Sequence, residues 1–246
     1  LQNPSILIPK AGTIRKLTTY VPKENAHALK TALFHAGAGN IGNYSNCSFT
    51  VDGTGSYQAN AGANPYIGKI GETHYEDESQ ISITYGRANE QKILKALFKN
   101  HPYEEVAYEL QTLENKNQNI GMGMVGNLEK SMGEEEFFEF LKEKMNVSCI
   151  RHSDFIGKKI EKVALLGGSG SFAISAAIAA NADVFVTSDL KYHQFYEAEG
   201  KILLADIGHY ETEQFTKNLL VDYLTKKIPN FAVSLSESKT NPIKYF

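Results

Sequence analysis

The stretch that decides the fold runs from Val163 to Glu213 and reads VALLGGSGSFAISAAIAANADVFVTSDLKYHQFYEAEGKILLADIGHYETE. Short apolar runs alternate in it with segments whose apolar residues have helical spacing. The runs VALL, VFV and ILLA are almost continuously apolar, which is typical of strands covered on both faces. The pattern predicts an α/β unit with a largely parallel sheet, in which functional groups collect at the carboxyl ends of the strands.

The chain upstream of this stretch has a different pattern. Between Arg15 and Leu113 the periodicity predicts the order β, α, β, β, α, β, which is the ferredoxin-like, α+β arrangement. The polar run Glu114–Gln118 then predicts a boundary. We therefore expect a linker at residues 1–14, a ferredoxin-like domain at residues 15–116 and an α/β domain at residues 117–246.

Within the second domain the periodicity predicts several further elements. A match to a capping box, Ser131 with Glu134, predicts the start of a helix after a strand. The remaining predictions are strands at 122–128 and 231–235, and helices at 172–180, 190–199 and 212–227.

Composition excludes several classes of protein. The 246 residues are 42% hydrophobic and 22% charged, with no apolar run near the length that a membrane span needs. A formal net charge of -3 gives no overall attraction to nucleic acid or anionic lipid, so a nucleic-acid partner is not expected. Two distant cysteines, Cys47 and Cys149, form neither a disulfide framework nor a cysteine-based zinc site. With no signal peptide at the start, the sequence predicts a protein of the reducing cytoplasm.

The first candidate site follows the ILLA strand, in the segment Asp206–Glu213. If a helix begins near His209, the side chains of His209 and Glu213 lie one turn apart on the same face and can hold one divalent metal ion. Gly208 would allow the sharp turn into the helix, and Asp206 would orient the imidazole ring. The alternative is a solvated helix start whose acidic residues complement the helix dipole.

The second candidate site follows the VFV strand. Asp189, Lys191 and His193 would bring an acid or base, a cation and a further ligand to the same crevice, so we assign them catalytic roles. In the alternative interpretation, Asp189 is only the N-cap of the next helix, Lys191 is exposed and His193 packs against the sheet.

The third candidate site is the glycine-rich turn after VALL, with Gly168, Ser169 and Gly170 as cofactor-binding or anion-binding residues. Counted from Gly168 the turn also spells G-x-G-x-x-A, and Asp189 lies about 20 residues further on. A dinucleotide-binding, Rossmann-type oxidoreductase is therefore an alternative interpretation.

Three segments, LLGGSGS, ANADVFVTSDLKYHQ and ADIGHYETE, resemble in that order the C-terminal half of the NIF-three-like dinuclear metal family, whose members are often described as GTP cyclohydrolase one type two homologues. GAGNIGNYSNCSF, GANPYIGK and HPYEEVAYEL resemble the PII-like or CutA-like domain inserted in longer bacterial members. The resemblance implies a PII/CutA-like domain followed by half of a NIF-three-like α/β domain.

The same resemblance implies a site for two divalent ions, with zinc, iron and manganese not distinguished, in which His209 and Glu213 are the C-terminal ligands. Asp189 and His193 map onto residues that line this cavity, with Ser188 in place of a usual glycine. The resemblance also implies toroidal homohexamers. Family members contribute a His-His pair and an Asp from a preceding segment, and this sequence contains no His-His pair. We therefore expect a chain that lacks its N-terminal third, holds half of the site, and binds metal weakly or not at all.

The favoured function is a metal-dependent, hydrolase-like protein that acts on a small molecule or nucleotide, similar to the GTP cyclohydrolase type. The alternative from another class is a regulatory or metal-trafficking protein whose PII-like domain senses a small ligand without turnover.

Overall fold

The computed structural model describes residues 1–117 and 119–244. They form two compact units. One unit is Lys10–Asn117, and the other combines Leu1–Pro9 with the described residues beyond position 118. The predicted boundary run ends at Gln118, which lies outside the described residues, as do the last two residues of the predicted α/β domain.

Ten strands and six α-helices form within the described residues. The strands are β1 (Gln2–Pro9), β2 (Ile14–Pro22), β3 (Phe49–Gln58), β4 (Thr73–Gly86), β5 (Tyr108–Leu113), β6 (Gly121–Met132), β7 (Arg151–His152), β8 (Ile160–Ser169), β9 (Val184–Ser188) and β10 (Leu203–Asp206). The helices are α1 (Ala26–His35), α2 (Glu90–Asn100), α3 (Glu134–Met145), α4 (Ile174–Ala179), α5 (His209–Glu213) and α6 (Thr216–Lys227). None of these helices has both the length and the apolar character needed to cross a bilayer.

The unit Lys10–Asn117 has the predicted element order, β2-α1-β3-β4-α2-β5. Its four strands form one antiparallel sheet in the order β3-β4-β2-β5. Apolar residues one helical turn apart, such as Leu29 and Leu33 on α1, pack with Ile93 and Leu97 of α2 over the sheet. Burial of this face drives the pairing of helices and sheet.

The other unit has one six-stranded sheet in the order β1-β6-β8-β9-β10-β7. The prediction of a largely parallel sheet is wrong, because only the β8–β9 and β9–β10 pairs are parallel, while β1, β6 and β7 join antiparallel. Periodicity reveals which segments are strands but not the direction in which they pair. Apolar cores lie on both faces of β9, with Phe185 on one face and Val184 and Val186 on the other.

Three local predictions also differ from the structure. Part of the expected linker, Gln2–Pro9, is a strand that pairs with β6, and its short apolar run places Leu7 in the core. The expected strand at 231–235 has no strand partner among the described residues, and Phe231 is largely exposed. The expected helix at 190–199 is a shorter 3-10 segment, Tyr192–Ala198.

The parallel strands place the predicted site residues at one edge of the sheet. Strands β8, β9 and β10 run in the same direction and end at Ser169, Ser188 and Asp206. Asp189 directly follows β9, and His209 begins α5 three residues after β10. These two candidate site residues therefore lie at the strand ends, as predicted from the sequence.

Candidate metal centre

The imidazole ring of His209 lies between two carboxylates. Its Nδ1–H donates a hydrogen bond to Oδ2 of Asp189 at 2.5 Å, and its Nε2 lies 3.5 Å from Oε2 of Glu213. The side chains of His209, Asp189 and Glu213 are 48%, 44% and 52% exposed. The predicted convergence of His209 and Glu213 is present, and an incoming ligand can reach both.

Two backbone conformations produce this arrangement. Gly208 has φ +96°, which L side chains rarely adopt, and it turns the chain from β10 into α5. Asp189 has φ +58° at the end of β9, a left-handed conformation that Asp tolerates better than most residues. Within α5, the spacing of four places Glu213 one turn after His209 on the same face.

Asp206 does not orient the His209 ring, contrary to our expectation. It is 4% exposed, and its Oδ1 accepts the backbone N–H of Gly208 at 3.1 Å. Its Oδ2 accepts the backbone N–H of Leu190 at 3.0 Å and a guanidinium N–H of Arg151 at 3.1 Å. Asp206 therefore fixes the two loops that carry Asp189 and His209.

The glycine-rich turn forms a wall of the site. The N–H of Gly168 donates to Thr212 Oγ1 at 2.8 Å, and its carbonyl accepts the hydroxyl of Thr187 at 3.1 Å. A Cβ at Gly168 would lie 2.7 Å from Oε1 of Glu213 and 3.5 Å from Nε2 of His209. The backbone of this turn therefore lies directly against the two candidate ligands.

This packing does not fit the anion-seat and dinucleotide interpretations. The Gly168 amide already has a protein acceptor, Ser169 is the last residue of β8, and a side chain at Gly170 would collide with Thr187. The Asp189 carboxylate, which a dinucleotide fold would direct at a ribose, holds His209 instead.

Lys191 and His193 do not take part in the contacts between His209, Asp189 and Glu213. The backbone N–H of Lys191 donates to Oε1 of Gln194, so Lys191 and not Asp189 is the N-cap of the following 3-10 segment. His193 is exposed and meets Tyr192 edge-on, with ring centroids 5.3 Å apart. Among the described residues, no hydrogen bond or ion pair joins either side chain to Asp189.

The two carboxylates also change the electrostatics of the ring. The hydrogen bond to Asp189, together with the charges of Asp189 and Glu213, raises the pKa of His209 above its usual value, although partial burial opposes this. Because Nδ1–H is committed to Asp189, the neutral ring presents the lone pair of Nε2 on the Glu213 side.

These donors fit part of the coordination shell of a divalent ion. An imidazole nitrogen and a carboxylate suit zinc, manganese or iron, and the carboxylate on the far ring nitrogen is the usual support of a metal-binding histidine. His209 and Glu213 also line a cavity of about 570 Å³. Over residues 1–117 and 119–244, however, no group of three or more His, Cys, Asp or Glu side chains is arranged to hold a metal ion.

Sequence reasoning missed the groups that support the site. Thr212 accepts the Gly168 amide and donates its hydroxyl to the backbone carbonyl of His209 at 2.7 Å, and Thr187 bonds to the same turn. The threonine within HYETE was visible in the sequence, but its partner lies 44 residues away along the chain.

Comparison with known proteins gives consistent matches. The model of the Duf34/NIF3 (NGG1p interacting factor 3) family matches residues 16–242. The chain is 37% identical over 251 residues to the GTP cyclohydrolase 1 type 2 homolog of Bacillus subtilis, and 35% identical to that of Halalkalibacterium halodurans. Each alignment covers 100% of this chain and 67% of the relative, so the chain spans about two thirds of the length of these relatives.

Two solved structures match over the whole length of this chain. A Bacillus cereus protein related to NIF3 matches with a TM-score of 0.79 and 33% identity, over 100% of this chain and 67% of its own. Staphylococcus aureus protein SA1388 matches with a TM-score of 0.68 and 26% identity, over 100% of this chain and 65% of its own.

Proposed function

The chain belongs to the Duf34/NIF3 family, and from that premise we propose that His209 and Glu213 bind a divalent metal ion in a hydrolase-like protein. One observation supports this most directly: Nδ1 of His209 is held by Asp189 at 2.5 Å while Nε2 faces Glu213 at 3.5 Å. A ring fixed on one nitrogen and open on the other is prepared to donate the second nitrogen to a cation.

Each residue of the site has a definite part in this proposal. His209 and Glu213 donate to the ion, Asp189 keeps the proton on Nδ1, and Gly168 leaves room for the Glu213 carboxylate. When bound, a divalent ion lowers the pKa of bound water and polarises a carbonyl or phosphoryl oxygen. Two protein donors leave further coordination positions, which water, substrate or other polypeptide would fill.

The substrate class comes from the relatives rather than from the site. These relatives are named GTP cyclohydrolase 1 type 2 homologs, and we extend a hydrolytic reaction on a nucleotide-like substrate to this chain as part of the proposal. Lys191 is exposed beside the strand end and would meet a phosphate there. Catalytic roles for Asp189, Lys191 and His193 stay predictions.

A regulatory or metal-trafficking function is the second candidate. It is favoured by a separate cavity of about 520 Å³ within the unit Lys10–Asn117, which has the size of a small-molecule site. Saturable ligand binding there without turnover by the metal-loaded protein would favour this candidate.

Assembly and location also stay predictions. We propose a homohexamer in the cytoplasm, and light scattering coupled to size-exclusion chromatography measures the assembly directly. A monomeric mass at micromolar concentration would contradict the assembly for this chain.

Titration of the chain with Zn²⁺ and Mn²⁺ tests the metal proposal. We expect weak binding that disappears in His209→Ala and Glu213→Gln. In Asp189→Asn it should weaken about tenfold, because the ring loses its orienting carboxylate. His35→Ala is the matched control, since His35 is exposed on α1 in the other unit.

Isothermal titration calorimetry and metal analysis after gel filtration measure the affinity and the stoichiometry. Equal metal binding by His209→Ala and the unchanged protein would refute the assignment of the ligands. Loss of binding in His35→Ala would show that the metal binds elsewhere.

A further inference from the structure

A cavity in the unit Lys10–Asn117 has walls suited to a positively charged organic ligand. From the rings and carboxylates that line it, we propose that this cavity binds a small organic cation through its alkylammonium group. The site lies outside the unit that carries His209, and it does not depend on the metal proposal.

Aromatic side chains form much of the wall. Tyr57, Tyr66 and Tyr103 all line the cavity of about 520 Å³. The rings of Tyr57 and Tyr103 meet edge to face with centroids 5.8 Å apart, and those of Tyr66 and Tyr103 are 6.2 Å apart at 54°. Rings inclined in this way present faces in several directions, and an ammonium group is attracted to the negative face of each ring.

The charge of the lining has one sign. Three carboxylates line the cavity, from Glu78, Glu104 and Glu105, and no Lys, Arg or His is among the described residues that line it. An anionic ligand such as a nucleotide phosphate would be repelled there. A neutral ligand could form hydrogen bonds with the carboxylates but would gain no ion-pair attraction from them, so the lining favours a cation.

Glu78 is held in place within this wall. Its Oε1 accepts the hydroxyl of Tyr103 at 2.8 Å, and burial together with this bond raises the pKa of Tyr103, so the phenol stays a donor. The carboxylate packs against the backbone of Gly55, where any Cβ would collide with Oε2. One glycine in β3 therefore provides the space that the carboxylate occupies.

Two hydrogen bonds of His101 hold the turn that carries Tyr103. His101 is buried and its Nε2–H donates to the carbonyl of Tyr20 at 2.8 Å, while the N–H of Tyr103 donates to its Nδ1 at 3.1 Å. On the facing loop, the N–H of Asn64 donates to Oε1 of Glu104 at 2.8 Å. Loops that are already held by such hydrogen bonds lose less conformational entropy when a ligand binds.

The test compares cations with neutral molecules of the same shape. Calorimetric titration uses choline against 3,3-dimethylbutan-1-ol, and butylammonium against butan-1-ol, at constant ionic strength. We expect saturable binding of at least one cation, with an affinity at least about tenfold above that of its neutral partner. The choline and butylammonium arms distinguish a quaternary from a primary ammonium ligand.

Two variants and a matched control locate the binding. Glu78→Gln removes the charge, and Gly55→Ala displaces the carboxylate while keeping it; each should weaken binding about tenfold or more. Gly53→Ala is the control, because Gly53 lies two residues before Gly55 in β3 and no atom of the described residues lies within 4 Å of its added Cβ. Circular dichroism verifies that each variant folds. If Glu78→Gln does not fold, the comparison of Gly55→Ala with Gly53→Ala tests the proposal by itself.

Three outcomes would overturn the proposal. These are the absence of saturable binding by either cation, equal binding of cation and neutral partner, and equal loss in Gly53→Ala and Gly55→Ala.

Discussion

Two histidines near carboxylates, one in each unit, have opposite surroundings. His101 is buried, and both of its ring nitrogens bond to the protein backbone. His209 is half exposed, and both of its nitrogens face carboxylates. Burial lowers the pKa of His101, whereas the bond to Asp189 raises the pKa of His209.

The difference shows what separates a structural histidine from a candidate ligand. Both nitrogens of His101 are used in fixing a turn, so the ring has no lone pair left for a metal. The ring of His209 is fixed on one side only, and the other side opens to a cavity. Proximity to acidic residues in the sequence does not distinguish the two cases, but the partners of each nitrogen do.

The largest effect should come from the buried support beneath the open site. Asp206→Ala removes the acceptor of the Leu190 and Gly208 N–H groups, so we expect a loss of about 3 kcal/mol in the free energy of unfolding. Urea denaturation measures it. Asp222→Ala, at an exposed position of α6, is the control and should change stability by less than about 0.5 kcal/mol. Equal losses in both variants would show that Asp206 does not support the site.

A pair of glycines separates backbone strain from contact with the site. Gly168 and Gly157 have φ of +70° and +71°. A Cβ at Gly168 would meet Glu213, whereas a Cβ at Gly157 would have no described atom within 4 Å. Substitution by Ala should cost about 1 to 2 kcal/mol at each position, because a side chain disfavours this conformation. Gly168→Ala alone should also reduce Zn²⁺ affinity, as measured by calorimetry. Equal Zn²⁺ affinity in Gly168→Ala and Gly157→Ala would show that the glycine-rich turn does not influence the candidate ligands.

The sequence was sufficient for much of the fold and for part of the site. VALL, VFV and ILLA identified three strands, and the order β, α, β, β, α, β identified the first unit, because periodicity reports burial directly. The link between Asp189 and His209 was not predictable, since it depends on neighbouring strands and on a left-handed Asp189. The antiparallel addition of β1 and β6 also depends on long-range pairing that leaves no local pattern.

His101 gives a smaller, pH-dependent effect. Burial lowers its pKa in the folded state, so the unfolded chain binds more protons between that lowered pKa and about 6.5. The contribution of the neutral His101 ring to the free energy of unfolding is therefore fully present above about pH 6.5, and it is lost as the pH falls toward the lowered pKa. Urea denaturation from pH 7.5 to 5.5 should show this slope, with a flatter profile in His101→Gln. His35→Gln, at an exposed position, should keep the original slope, and an unchanged slope in His101→Gln would contradict the burial argument.

His193 should give the smallest effect. The sequence and the family resemblance gave it a place beside Asp189, yet its ring is exposed and, within the described part of the chain, its one ring contact is the edge-on contact with Tyr192. His193→Ala should therefore leave both the free energy of unfolding and Zn²⁺ affinity within experimental error, by urea denaturation and calorimetry. A clear loss of Zn²⁺ affinity would mean that the 3-10 segment moves inward when metal binds. In that case His193 would be a third protein ligand beside His209 and Glu213. The comparison of the buried His101 with the half-exposed His209 would then have to include a histidine that becomes a ligand only when metal binds.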